Sequence, residues 1–503
     1  MRRLVSVAAI MAAASSVAYA QNTLPQANDA YFRSAQSALQ ERLRVTPNTN
    51  RAKNVILFVG DGMGISTVTA GRIYEGQKRG VDGESNSLTM EKLPFAALSK
   101  TYTHDAQVAD SAPTAVAMVT GVKTRNDIIG VNSEVEVGDC VGSKGKEVLS
   151  LAVMAERAGQ ATGVVSTARI THATPAAMYA HTPHRDWEGD VNMTPEAIAA
   201  GCKDIAQQLA TWSHGDGFEV IFGGGRDRFL PETMNDPEDT DKKGSRKDGR
   251  NLVQEWQNRY SNSGVFLWNK EQFDKLDPQT PHVMGLFERS HMRYEADRLK
   301  DNGGEPSLAE MTAKSIDMLS RNPNGFFLMV EGGRIDHAHH ESNAYRSLED
   351  MVAFDNAIKT ALGKVNLDET LVIVTADHSH TFTISGYPKR GNPILETIVE
   401  PDGKPKLGKD GKAITTLGYA NGPGAVKEGE PRPAPTNTTA PDYKQQSLVP
   451  LESETHGGED VAIFAGGPWA HLFAGVVEQN YIYHVIDHAT KLGERSGLRA
   501  AAQ

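Results

Sequence analysis

Apolar residues gather in short, bounded runs along this chain, and several of the runs end at a carboxylate or a glycine. Residues 54–59 (NVILFV), 161–167, 219–222, 326–330 (FFLMV), 371–376 (LVIVTA) and 461–464 are rich in Val, Ile and Phe. Runs of this length, with little polar alternation, predict strands buried on both faces of a sheet. A shorter strand is expected within 96–103. Helical patterning fills the gaps at 110–119, 149–158, 197–212, 308–320 and 343–362, and a helix with a polar lead-in is expected over 28–50. Strands alternating with helices predict an α/β fold around a largely parallel sheet. Two stretches break the pattern. Residues 231–305, with a run rich in Asp, Lys and Gly at 235–250, read as a surface excursion. Residues 386–450 are dense in Gly, Pro, Asn and Thr and read as an irregular insertion.

One layout recurs three times: an apolar run, then a metal-ligand type. Asp61 follows the first run among glycines, Glu331 ends the run at 326–330, and Asp377 and His378 follow 371–376. In parallel α/β sheets ligands bind beyond the carboxyl ends of the strands, so neighbouring strands would bring these side chains together. Asp336 and His340 are four apart and share one face of a helix after Gly333, and His456 can join them. Carboxylate with imidazole suits zinc, and an all-oxygen set suits magnesium. Two adjacent metals clamp the attacking and leaving oxygens of a phosphoryl displacement. Ser111 opens the helix at 110–119, where it is either a cap or a nucleophile, and a helix start favours an anion. Taken singly, each residue has a plainer reading. An Asp after a strand serves a turn, Arg185 is a surface charge, and His339 is structural. His380 is as readily a core histidine or a neighbour of the ligands as a ligand itself, and 326–340 alone equally fits a loop of solvated acids and histidines. The threefold repetition points to a metallohydrolase.

The composition is that of a globular chain: 503 residues, 39% hydrophobic and 23% charged. That length fits either two domains or one large sheet with insertions. A net charge of −11 without a Lys/Arg block excludes nucleic-acid binding through a basic face. Arg2 and Arg3, an apolar stretch over 4–14 and Ala18-Tyr19-Ala20 read as a signal peptide over 1–20; an uncleaved anchor is the alternative. No other segment has the length and apolarity of a membrane span, and the C-terminus lacks a GPI-type tail, so no membrane anchor is expected. The two cysteines, Cys140 and Cys202, form one disulfide in an oxidising compartment or remain two buried thiols.

Six stretches occur in the order and spacing of a known family: NVILFVGDGMG, DSAPTAVAMVTGVKTRNDIIGV, THATPAAMYAHTPHR, GFFLMVEGGRIDHAHHES, TADHSHTF and ETHGGEDVAIFAGGPWAHL. On these motifs the chain resembles the alkaline phosphatases, and more closely their animal-type branch, over most of its length. The resemblance implies a three-layer α/β/α sandwich over 21–503. The insertion at about 231–305 would carry a calcium region and that at 386–450 would be crown-like and cover a homodimer interface. It implies Ser111 as nucleophile, Arg185 as phosphate clamp and Asp110 as the residue orienting that guanidinium. Two zinc ions and one magnesium are implied: Asp336, His340 and His456 on the first zinc, Asp377 and His378 on the second, Asp61 bridging the second zinc and the magnesium, and Thr174 and Glu331 on the magnesium. His172 and His337, histidines as in the animal-type branch, imply faster turnover with weaker product retention, and with His380 they stand behind the ligands. A calcium ion would lie at Glu238, the Phe287 carbonyl, Glu288 and Glu305, although Glu305 stands where Asp is usual. The family's disulfide spacing resembles that of Cys140 and Cys202. Pro113 and Ala338 depart from the family pattern at tolerant positions. The expected activity is hydrolysis of a broad range of phosphate monoesters through a phosphoserine, with an alkaline optimum, in the periplasm or outside the cell. The alternatives are a phosphodiesterase or sulfatase of the same superfamily, or a non-catalytic zinc-binding protein.

Overall fold

The computed structural model describes residues 24–261 and 263–498, so the signal peptide expected over 1–20 lies outside the described residues. By its contacts the chain divides at Thr46. In the described part of the first unit a 3-10 turn, Pro25–Asn28, precedes helix α1 (Ala30–Arg42), which the Asp29 side chain caps by accepting the Phe32 N–H at 3.0 Å. No residue of α1 is buried.

The second unit, Pro47–Gln503, is built on a ten-stranded sheet. Its strands are β1 (Asn54–Gly60), β2 (Phe95–Lys100), β3 (Ala161–Arg169), β4 (Val220–Gly224), β5 (Gly264–Leu267), β6 (His282–Leu286), β7 (Phe326–Gly332), β8 (Thr370–Ala376), β9 (Val461–Gly466) and β10 (Val476–Glu478). Their spatial order is β10-β2-β9-β8-β1-β7-β3-β4-β6-β5. Every pairing is parallel except those of β9, which runs against β2 and β8.

The sheet is covered on both faces because alternate residues of its central strands enter two cores. Val55, Leu57 and Val59 of β1 pack with Phe327 and Met329 of β7 on one side; Ile56 and Phe58 pack with Leu328 and Val330 on the other. The first core takes helix α3 (Ser111–Thr120), the second takes α2 (Ile65–Lys78), α4 (Leu308–Leu319) and, after α5 (Arg334–His340), the long α6 (Ala344–Leu362). All seven residues of β1, β7 and β8 are buried, as their unbroken apolar runs require.

Two expectations need revision. The helix expected over 197–212 is two short helices, Pro195–Ala199 and Ile205–Ala210. Gly201 sits at φ 81° and ends the first, and Asp204 caps the second by accepting the Gln207 N–H at 2.8 Å. The break places Cys202 against Cys140 in a disulfide with Cα atoms 6.0 Å apart. The segment 231–305 also supplies the sheet edge, β5 and β6, with runs too short and too glycine-broken to stand out as strands. The stretch 386–450 supplies Leu417–Gly422 and Ser447–Pro450, which form a small sheet with the preceding Phe382–Ile384. No helix among the described residues is long and apolar enough to cross a membrane.

Candidate active site

Four adjacent parallel strands, β8-β1-β7-β3, end together. In register, Val59 of β1 faces Glu331 of β7 on one side and Thr375 of β8 on the other, so Asp61, Glu331 and Asp377 emerge side by side. Gly62 makes the turn after Asp61 at φ +66°. A Cβ there would lie 2.3 Å from His380 Nε2, and the Gly62 N–H donates to Asp377 Oδ1 at 3.0 Å.

Ser111 is the first residue of α3, and its cap is Asp110, not the serine itself. Asp110 Oδ1 accepts the Ala112 N–H at 2.7 Å, which leaves Ser111 Oγ free to face the strand ends. That oxygen is 3.3 Å from Asp61 Oδ1 and 3.1 Å from His378 Nε2. Arg185 Nη1 donates to the same Asp110 Oδ1 at 2.9 Å, and Asp110 Oδ2 accepts the Asp127 N–H at 2.6 Å. Arg185 Nη2 lies 3.1 Å from His172 Nε2. Burial opposes the Arg185 charge, but Asp110 and Asp61 raise its pKa further above its usual range.

Asp336 and His340 share one face of α5, with His340 Nε2 3.3 Å from Asp336 Oδ1. His456 Nε2 is 3.3 Å and His380 Nε2 2.8 Å from the same oxygen. Backbone carbonyls hold three of the rings: Glu454 O at 2.5 Å from His340 Nδ1, Ala109 O at 2.7 Å from His456 Nδ1, and Ser379 O at 3.2 Å from His378 Nδ1. A carbonyl only accepts, so each Nδ1 carries the hydrogen and each Nε2 lone pair points inward. The Nε2 atoms of His340 and His456 then meet at 3.1 Å, a contact that needs a proton or a metal ion between them.

Beside these rings lie polar atoms without partners. Asp61 Oδ2, Thr174 Oγ1, Glu331 Oε1 and Asp377 Oδ2 are buried without a hydrogen-bond partner. Burial, with the charges of Asp377 and Asp336, raises Asp61 well above the usual carboxylate range, and burial lifts Glu331 to about 7. Buried carboxylates that repel one another and each keep one oxygen without a donor fit cations. The donor chemistry therefore suits metal ions at both sets, with imidazole and carboxylate in the first and oxygen alone around Glu331.

The other expected residues lie as follows. His337 accepts from Arg334 Nη1 at 3.0 Å through Nδ1, and its ring centroid is 5.3 Å from that of His172. His339 is enclosed by Thr67, Ser347 and Tyr419 at 3.0, 2.8 and 2.8 Å, a structural role. Away from this site, Glu238 pairs with Arg226 at 2.9 Å, Glu288 pairs with Arg293 at 3.1 Å, and Glu305 accepts the Arg293 N–H at 3.0 Å. Phe287 is buried directly before Glu288. Burial raises Glu238 to about 6 and Glu305 to about 9, and the charge of Asp301, which the sequence reading did not single out, bears on both and on Glu288.

Sequence reasoning also missed two supports. Glu454 accepts from His380 Nδ1 at 2.5 Å and from the Thr381 N–H at 2.6 Å, and its place two residues before His456 was an available signal. Ser166 donates to Glu331; it faces Glu331 in the β3–β7 register, which no local pattern reveals.

An α/β sandwich whose strand ends gather carboxylates, imidazoles and a helix-start serine is that of the metal-dependent hydrolases. A family model described as alkaline phosphatase matches residues 52–492. The tissue-nonspecific alkaline phosphatase isozyme of Homo sapiens is 46% identical over 482 residues, covering 93% of this chain and 89% of that protein. An alkaline phosphatase of Gadus morhua is 45% identical over 474 residues, covering 92% and 96%. The solved alkaline phosphatase of the Antarctic bacterium TAB5 superimposes with a TM-score of 0.60 at 25% identity, covering 88% of this chain and 99% of its own. The chain belongs to the alkaline phosphatase family, which is metal-dependent, and is a phosphomonoesterase.

Proposed function

We propose that the chain hydrolyses a broad range of phosphate monoesters through a phosphoserine at Ser111, with zinc at two centres and magnesium at a third. The observation that carries this reading is the shared anchor at Asp110. One carboxylate fixes both the turn presenting Ser111 and the guanidinium of Arg185, while Ser111 Oγ faces Asp61 and His378. Asp336, His340 and His456 would hold the first zinc, Asp61, Asp377 and His378 the second, and Asp61, Thr174 and Glu331 the magnesium. Bound there, the metals supply Lewis-acid charge that activates the serine and the attacking water and neutralises the departing oxygen.

Arg185 presents its planar fork to the equatorial oxygens, where charge gathers in a loose transition state. Ser111 Oγ attacks phosphorus in line and the bond to the alcohol oxygen breaks. The alcohol leaves with a proton, and water then cleaves the phosphoserine, releasing inorganic phosphate and restoring the hydroxyl. Ser111 is 2% exposed, so little bulk water competes in the first step. The test is turnover of a monoester, a diester and a sulfate ester at alkaline pH, paired with metal analysis. Monoester preference with about two zinc and one magnesium per active chain is expected; preference for the diester or sulfate would overturn the reading.

Export to the periplasm or beyond belongs to the same proposal, supported by the leader-like residues 1–20 and by the Cys140–Cys202 disulfide, which suits an oxidising compartment. A homodimer formed through 386–450 is supported by apolar side chains that stand exposed in and beside that insertion, Tyr387 and Leu448 above all. Calcium at Glu238, the Phe287 carbonyl, Glu288 and Glu305 is part of the proposal, with Asp301 as a further carboxylate there. Equilibrium dialysis checks it, since one calcium ion retained per chain is expected.

A further inference from the structure

The carboxylates to which calcium is assigned above already meet two guanidiniums, and the two are held differently. Arg226 is wholly buried. Its Nε and Nη2 grip Asp236 at 2.9 and 2.7 Å, Nη2 also meets Glu238 at 2.9 Å, and Nη1 donates to the Leu286 carbonyl at 2.9 Å. A planar fork seated on a carboxylate in this way is a fixed part of the fold. Arg293 is the opposite case. Its side chain is 52% exposed and reaches the cluster through one nitrogen, with Nε 3.1 Å from Glu288 Oε2 and 3.5 Å from Asp301 Oδ1. The first contact is an ion pair without a hydrogen bond, since Glu288 Oε2 has no donor.

The acids around Arg293 are short of partners. Asp301 Oδ2 is buried without one, on a side chain 1% exposed. Glu305 is buried, and both its oxygens face the Arg293 N–H, at 3.0 and 3.2 Å. Asp236 and Glu238 use Arg226, so Glu288, Asp301 and Glu305 are left to Arg293, and their charges outweigh the burial that opposes its own. Buried oxygens that lack donors fit a hard divalent cation, and calcium suits them. The Arg293 side chain thus stands where a cation of the cluster belongs. It also has room to leave. It lines a cavity of about 620 Å³, and the N–H bond to Glu305 holds its backbone whichever way the side chain turns.

We propose that Arg293 is an exchangeable cation built into the cluster, which neutralises Glu288 and Asp301 when calcium is absent and swings into the cavity when calcium is bound. This rests on the calcium assignment made above and adds how that site is regulated. Calcium must displace a cation the protein carries itself, so it comes and goes with supply. An internal competitor lowers the apparent affinity by the fraction of molecules in which it leaves the site open. It also spares the calcium-free protein the cost of buried, unpaired carboxylates.

Calcium titration by calorimetry tests this, on protein loaded with zinc and magnesium in calcium-free buffer, in wild type and in Arg293→Gln. The variant is expected to bind calcium about tenfold more tightly, because one charge-assisted contact is removed from the calcium-free state alone. Thermal midpoints give the other half of the same cycle. Without calcium, Arg293→Gln should melt below the wild type; with saturating calcium the two should melt together. Arg293→Lys keeps the charge and should stay near the wild type in both measurements. Equal calcium affinities in wild type and Arg293→Gln, or a midpoint lowered equally with and without calcium, would overturn the exchange and leave the calcium assignment standing. Calcium bound by Arg293→Gln and not by the wild type would support the exchange and contradict that assignment. Calcium bound by neither would contradict both.

Discussion

At the scale of single residues, the arrangement turns on side chains that each serve two neighbours. Asp110 caps α3 and holds Arg185, so Arg185 and Ser111 cannot drift apart independently. Arg185→Lys keeps the charge but loses the planar fork. It is expected to cost about 2 kcal/mol of transition-state stabilisation, roughly thirtyfold in kcat/KM, read from steady-state kinetics. Glu454 supports His380 through Oε2 while its backbone carbonyl holds His340. Glu454→Gln should therefore weaken metal retention by about tenfold, read by competition with a chelator, without removing any proposed ligand. Most of these residues were legible in the sequence because their neighbours in the chain are also chemical: a carboxylate after an apolar run, two ligands one helical turn apart. Ser166 and Glu454 were not, because each matters only through a partner brought in by another strand.

At the scale of elements, the buried strands were legible because nothing else keeps an unbroken apolar run in water. The helix boundaries near Gly201 and the edge strands β5 and β6 were lost, because one left-handed glycine outweighs a helical pattern and four or five mixed residues carry no period. At the opposite ends of β3 and β4 from the site, burial raises Glu156 to about 9, with Glu219 adding to it, and raises Glu219 to about 8. Both folded values lie above the ordinary 4.5, so their contribution to stability is complete below that pH and is lost as pH rises through 8 and 9. Thermal midpoints are expected to fall from neutral to alkaline pH, and Glu156→Gln should flatten the fall; equal slopes would contradict this. The Cys140–Cys202 bridge closes a separation of 62 residues and would contribute about 4 kcal/mol in the chain-entropy model. Reduction should lower the thermal midpoint accordingly.

At the scale of the whole molecule, one sheet accounts for the site: four parallel strands in register deliver side chains that are hundreds of residues apart in sequence to one edge. That convergence was inferable from the repeated layout, but the strand order was not, since no residue pattern says which strands are neighbours. The metals are expected to be part of this architecture, because the buried carboxylates at the strand ends repel one another without them. Stripping the protein with a chelator should abolish turnover and lower the thermal midpoint together, and zinc with magnesium should restore both. The proposed chemistry depends on Ser111 carrying the phosphoryl group. Incubation with labelled phosphate, acid quench and peptide mass spectrometry tests it most directly. The expected result is one phosphate on the peptide containing Ser111 and none in Ser111→Ala. Label on another residue, or label that survives in Ser111→Ala, would contradict it.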